Sequence, residues 1–370
     1  MNHFDIVVVG LGAVGSAALY QLSGTGKKVL GIDRFDPPHT MGSSHGETRI
    51  TRLAVGEGAE YVGLAKRSHQ IWKDLESKTG NQIYFPFGGI LMDSGIQPWG
   101  KHGAEGFFDR TATYAKEFDV RHELLDPAQM NGRYSHFELP ESGKAYFEYE
   151  AGFLKPELAI ETQLTLAKKN GAEILTNSPV LDIQKISGGG VKVILEGKEI
   201  NADKVLLSAG GWVKDFLGEK EKPEFKICRQ VLHWVETSSD DWKDYPVFMW
   251  GFGPEPEDFI YGFPSLDGMT VKMATESFVE TFHPRELNRE VSLEEQTRFW
   301  EEKVQGKISG LKSNILKSTV CFYTVTEDAK FVIRPISGME EVLMVSACSG
   351  HGFKHSAALG ELLKDRLIRE

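Results

Sequence analysis

The chain has 370 residues, 41% apolar and 26% charged, an ordinary globular mix that excludes disordered and collagen-like architectures. Its formal net charge of −11 argues against a nucleic-acid partner, because a phosphate backbone calls for a basic face. The three cysteines, Cys228, Cys321 and Cys348, are too scattered for a disulfide framework or a zinc set and fit a reducing cytoplasm.

In chain order, the first residues lack a basic lead-in, and their apolar run is broken by Asp5 and by glycines. Neither a secretory leader nor a membrane span is expected. Residues 4–9 form a near-continuous apolar run, as in a parallel strand buried on both faces. Residues 16–22 read as a helix of small side chains and 28–32 as a second buried strand. Apolar positions at three-to-four spacing predict an amphipathic helix over 61–75. Between 86 and about 144 the texture changes to Gly, Pro and aromatic residues, which predicts only short helical pieces. A helix returns at 156–170, then two strands joined by Gly188, Gly189 and Gly190. Residues 202–212 read as a buried strand entering a small-residue turn. From about 221 to 312 aromatic-rich strands dominate, and the chain closes with a strand, the turn SGHG and a helix from about Phe353.

Nucleotide-binding texture at both ends, with sheet-rich segments between, implies a discontinuous cofactor domain over 1–85, 145–220 and 313–370. The substrate domain is expected over 86–144 and 221–312.

The sharpest motif is Gly10-Leu11-Gly12-Ala13-Val14-Gly15, which follows a strand and opens a helix. Gly10 permits the tight turn, Gly12 lets the backbone approach a pyrophosphate, and Gly15 lets helix and strand pack closely. The helix N-terminus adds free N–H groups and partial positive charge. Asp33 lies about twenty residues on, where a carboxylate accepts from a ribose hydroxyl and disfavours a 2′-phosphate. That leaves NAD or FAD. The extreme N-terminal site, the return of nucleotide-domain texture at Ser208-Ala209-Gly210 and the closing SGHG–helix unit favour FAD.

Four blocks carry a likeness to a known family: FDPPHTMGSSHGETRITRLAVGEGAEYV at 35–62, IYGFPS at 260–265, VCFYT at 320–324 and SGHGFKHSAALGE at 349–361. In these the chain resembles the monomeric sarcosine oxidase and N-methyltryptophan oxidase family of covalent flavoprotein amine oxidases, with fructosyl amino acid oxidases as relatives. The resemblance implies an α/β, two-domain chain: a Rossmann-like FAD-binding domain of the glutathione-reductase type, as in D-amino acid oxidase relatives, and a sheet-rich substrate domain. It implies FAD joined through its 8α-methyl group to the Cys321 sulfur. The cofactor wall is expected from the glycine motif with Asp33 and Arg34, and from Ser43, Ser44, Thr48 and Arg49. Val180, Ser208, Ala209, Gly210 and Trp212 complete it on one side, with Tyr323, Gly350, Gly352, Phe353 and Lys354 on the other.

By the same resemblance Arg49 stabilises the reduced, anionic flavin, and Arg52 with Lys354 grips the substrate carboxylate. Lys272 is the cation that activates dioxygen, and Tyr261 is an aromatic wall of the substrate cavity. The implied reaction is oxidation of a small secondary amine or N-substituted amino acid, with O2 reduced to H2O2, by a monomeric, cytoplasmic enzyme. The alternatives are a fructosyl amino acid oxidase and an amine dehydrogenase with another acceptor.

Two positions depart from the pattern. Glu276 stands where sarcosine and N-methyltryptophan oxidases carry histidine; it matches the fructosyl amino acid oxidases instead, or forms an ion pair with Lys272. Arg334 replaces an Asp and is expected to alter the field below the flavin. A C-terminal extension found in relatives is expected to be short or absent.

Overall fold

The computed structural model describes residues 3–96, 105–255 and 257–369, and the statements below concern these residues. Strand β1 (His3–Val9) is flanked in parallel by β2 (Val29–Ile32) on one side and Lys198–Leu207 on the other. Val7 and Val8 are fully buried, as a central strand covered on both faces requires. Glu173–Leu175 extends this sheet beyond β2, and Met339–Ser346 joins Lys198–Leu207 in parallel through Val205–Leu207. Strands Val180–Lys185 and Val191–Leu195 form the hairpin around the three glycines.

Helix α1 (Ala13–Ser23) covers one face and is itself pinned by the closing helix Ser356–Arg369. The approach is close: a methyl group on Gly360 would lie 2.5 Å from the Ala17 backbone. Helix α2 (Ala59–Thr79) also packs on the closing helix and ends at Gly80, whose φ of 77° is the left-handed stop that glycine supplies. It runs longer at both ends than its apolar spacing suggested.

The second sheet has nine strands and includes Lys226–Thr237, Thr270–Ala274, Phe259–Gly262, Val247–Gly251 and Gly89–Asp93. Its core contains Trp242, Trp250, Phe137 and Phe248. The stretch 86–144, read as short helical pieces, in fact contributes strands Gly89–Asp93 and His122–Leu125 together with helices Phe107–Glu117 and Pro127–Arg133. Sheet pairing also cuts the chain differently from the expected segments. Lys144–Glu148 and Leu311–Val325 hydrogen-bond in this large sheet, the latter along Lys226–Thr237. Backbone pairing with strands distant in sequence decides this, which local texture does not reveal.

A small third sheet joins β3 (Arg49–Thr51) to Gly152–Leu154, which also pairs with Tyr84–Phe85. It sets residues 43–57 at the junction of the two large sheets, where the candidate site lies.

Candidate functional site

The turn between β1 and α1 is built as the motif requires. Gly10 has φ 89°, and a methyl on Gly15 would stand 1.8 Å from the Gly10 carbonyl oxygen. Gly15 is thus a packing glycine and not part of the cavity wall. Gly12, Ala13 and Val14 do line a long cavity, together with Asp33, Arg34, Ser43 and Ser44. Val180, Ser208, Ala209, Gly210 and Trp212 line it too, as do Arg49, Tyr323, Gly350, Gly352 and Phe353. The sequence did not single out Pro37, Pro38, His39, Ser178 or Cys348, which share the wall.

Three observations fit this cavity to a dinucleotide. The N-cap of α1, Gly12, offers no side-chain acceptor, and no acid stands in the first turn, so the positive pole faces the cavity with no charge of the chain's own against it; only the Ser44 hydroxyl accepts there, from Ala13 N at 3.4 Å. The buried Trp212 indole N–H has no protein partner in the wall. Asp33 accepts from Leu11 N at 2.7 Å and Phe35 N at 2.8 Å, and a carboxylate so held retains lone pairs for a hydroxyl.

A second, smaller cavity abuts the first. Arg49, Tyr323, Gly350 and Phe353 belong to both walls, whereas Thr48, Cys321 and Lys354, expected at the cofactor, line only the second. Cys321 thus lies beyond the shared wall, within strand Leu311–Val325 of the large sheet and opposite Gln230. Burial raises its thiol pKa, while Arg49, Lys272 and Arg289 pull it down. The setting is cationic, as thiolate chemistry needs, yet dry.

At one end of the second cavity Arg52 and Lys354 converge on one carboxylate of the chain itself. Glu57 receives Arg52 at 2.7 Å and Lys354 at 3.5 Å, and all three are buried. A substrate carboxylate gripped by both cations would take the place of Glu57. Met249, Phe259, Phe263, Leu232 and Tyr261 make the remaining wall apolar. Glu276 lines it as well and accepts from the Tyr323 hydroxyl at 3.4 Å. Burial raises the phenol pKa values of Tyr261 and Tyr323, so both stay neutral donors.

Lys272 lines neither cavity. It stands behind Thr48 and Phe263, its ammonium 4.5 Å from the Phe263 ring and bonded to Gly46 O, Thr48 O and Thr48 Oγ1 at 2.5, 2.9 and 3.0 Å. These bonds run to the 46–48 loop, not along the strand to Glu276 as an ion pair would. Burial, then repulsion from Arg49, lowers its pKa well below the usual lysine range. Arg49 spans the loop, donating to Thr48 O at 2.8 Å and Ser43 O at 2.7 Å. Ser43 donates in turn to Phe322 O, and Ser44 Oγ accepts from Ala13 N. Arg334 lines neither cavity; it is half-buried and paired with Glu224 and Glu221.

Sequence reasoning missed three carboxylates that organise this region. They are Glu57, Glu148, which accepts from Leu53 N and Ala54 N beside Arg52, and Glu157, which accepts from Gly46 N and Glu47 N. Glu57 lies inside a quoted block, but nothing in the spelling marks its role. The other two act on backbone groups far away in sequence.

Four buried histidines give the fold a pH limit. Burial holds His45 and His69 at about 3 and His233 at about 4, and pushes His355 well below 6.5. The unfolded chain protonates these rings as pH falls through about 6.5, while the folded chain does not. Stability is therefore complete above that pH and declines below it, by about 1.4 kcal/mol per pH unit for each ring. The urea midpoint should drop steeply between pH 7 and pH 5; a constant midpoint would contradict the burial of these rings as neutral groups.

A glycine-turned helix N-terminus on a long cavity, joined to a smaller cation-bearing one, defines a dinucleotide-dependent redox enzyme, and the chain belongs to the FAD dependent oxidoreductase family, whose model matches residues 5–366. Curated relatives narrow this. The chain is 36% identical to the monomeric sarcosine oxidase of Bacillus sp. (strain B-0618), over 98% of this chain and 91% of that one. It is 35% identical to that of Arthrobacter sp. (strain TE1826), over 99% and 93%. The N-methyl-L-tryptophan oxidase of Yersinia pestis (strain Pestoides F) is 31% identical over 97% and 93%. Among solved structures, NikD, an unusual amino acid oxidase, superimposes with a TM-score of 0.84 at 18% identity, covering 100% of this chain and 94% of that one. The fructosyl amine:oxygen oxidoreductase of Aspergillus fumigatus gives 0.73 at 16%, covering 100% and 87%. These two share the two-domain fold. The family and fold implied by the four sequence blocks are therefore correct.

Proposed function

We propose that the enzyme oxidises a small secondary amine or N-substituted amino acid, of the sarcosine kind, at the carbon–nitrogen bond, with O2 as acceptor and H2O2 as product. The observation that carries this reading is the convergence of Arg52 and Lys354 in a buried, largely apolar cavity that shares Arg49 and Tyr323 with the cofactor cavity. When bound, FAD supplies the two-electron chemistry, and Cys321, in the second cavity on the same strand as the shared Tyr323, is the residue for an 8α-S-cysteinyl bond. Arg52 meets a carboxylate with two parallel N–H bonds, and Lys354 adds a point charge. The apolar wall excludes water and, with Tyr261 and Tyr323, orients the amine. Arg49 favours negative charge that develops on its side of the wall, and Lys272 sets a cation behind it. The resulting imine is released to water and hydrolyses to an aldehyde and an amine. We read the enzyme as a cytoplasmic monomer; among the described residues no helix is long and apolar enough to cross a membrane.

A second reading, a fructosyl amino acid oxidase, is favoured by Glu276, a carboxylate in the wall that accepts hydrogen bonds from a hydroxyl-rich group. An H2O2-coupled screen of sarcosine, other N-methyl amino acids, fructosyl amino acids, pipecolate and proline separates the two, with Glu276→His run in parallel. We expect N-methyl amino acids to give one H2O2 per amine oxidised. Dye reduction without H2O2 would point to a dehydrogenase. Acid precipitation should leave wild-type protein yellow and Cys321→Ser colourless.

A further inference from the structure

Residues 46–48 form the loop on which Arg49 and Lys272 both depend, and its backbone is unusual. Gly46 and Glu47 have φ of 99° and 72°, the left-handed region in which a glutamate is strained. A side chain at Gly46 would also press on a methyl of Leu232, its first carbon lying 2.7 Å away. Two successive peptides in this conformation turn their N–H groups to one side and create a concavity for an anionic oxygen. One oxygen of Glu157 fills it, accepting from Gly46 N at 2.6 Å and from Glu47 N at 3.1 Å.

With the N–H groups taken, the loop's acceptors serve the cations. Gly46 O, Thr48 O and Thr48 Oγ1 receive the Lys272 ammonium, and Thr48 O also receives Arg49. The Glu47 side chain is held separately, by the Trp234 indole N–H at 3.0 Å and by Lys317 at 2.5 Å. Glu157 touches neither cavity; it stands in the first turn of helix Pro156–Lys169.

We propose that Glu157 is a positioning residue for the oxygen half of the reaction: by gathering two N–H groups onto one oxygen, it fixes the carbonyls that aim the Lys272 ammonium. This rests on the reading of Lys272 as the cation that assists dioxygen reduction. Strain at Glu47 has a role in it. Without the Glu157 anchor the loop relaxes toward ordinary backbone, its carbonyls rotate, and the ammonium loses its frame.

The test uses holoenzyme in stopped flow, with anaerobic reduction by the amine and reoxidation by O2 measured separately. Because one oxygen accepts both bonds, the amide oxygen of Glu157→Gln can keep them without the charge, whereas Glu157→Ala removes them. Glu157→Ala should slow reoxidation about tenfold, the scale of a misaligned buried hydrogen-bond set, with anaerobic reduction within about twofold of wild type. Glu157→Gln should restore reoxidation to within about threefold of wild type. The proposal is overturned if Glu157→Ala reoxidises normally, if it slows both half-reactions alike, or if Glu157→Gln is as slow as Glu157→Ala. Lys272→Met separates the two levels: normal reoxidation there refutes the Lys272 reading itself, whereas a slow Lys272→Met beside a normal Glu157→Ala refutes only the role of Glu157.

Discussion

Lys272→Met is expected to slow reoxidation of the reduced enzyme by O2 on the order of a hundredfold, while the amine still reduces it anaerobically at close to the normal rate. Methionine keeps the length and packing of the stem beside Phe263 and Trp234 but removes the charge. Dioxygen acquires negative charge on its first electron, and a fixed cation in a dry wall stabilises that charge with little reorganisation. Removing one preorganised donor of this kind costs about 2.7–4 kcal/mol at the transition state. Lys272 is only 5% exposed and bonded to three oxygens, so its position is set before O2 arrives. Stopped-flow reoxidation at several O2 concentrations checks this, and an unchanged second-order rate would rule the residue out.

The second large effect concerns recognition of the carboxylate. Replacing Arg52 and Lys354 together with methionine should lower kcat/KM for carboxylate-bearing amines by about a thousandfold, taking roughly 1.5–3 kcal/mol for each charged hydrogen-bond partner. Amines without a carboxylate should change little. Glu57 is buried with both cations, so the double variant would leave its charge without them, a penalty of several kcal/mol. Adding Glu57→Gln isolates recognition from stability. Equal losses with and without a substrate carboxylate would refute the assignment.

The sequence marks the parts of this site that depend on contiguous chemistry. The β1–α1 turn was legible because only glycine tolerates φ 89° at Gly10 or a carbonyl 1.8 Å from a side-chain position at Gly15. Arg49, Arg52, Tyr323 and Lys354 were legible through blocks whose order and spacing match a family. Legibility failed where bonds join distant segments. Nothing in the spelling of Glu148 or Glu157 says that its carboxylate will accept backbone N–H groups around residues 53–54 and 46–47. Arg334 shows the opposite case: a position conspicuous in sequence lines neither cavity and is satisfied by Glu221 and Glu224. Lys272 falls between these cases, since its type was legible but its place behind the cavity wall was not.

Strand Met339–Ser346 beside Lys198–Leu207, and Gly360 seated on Ala17, tie the glycine turn to segments far along the chain. The nucleotide-binding half therefore closes only through long-range contacts: a fragment cut before residue 339 would keep the glycine motif but lose both the strand that widens its sheet and the helix that covers α1.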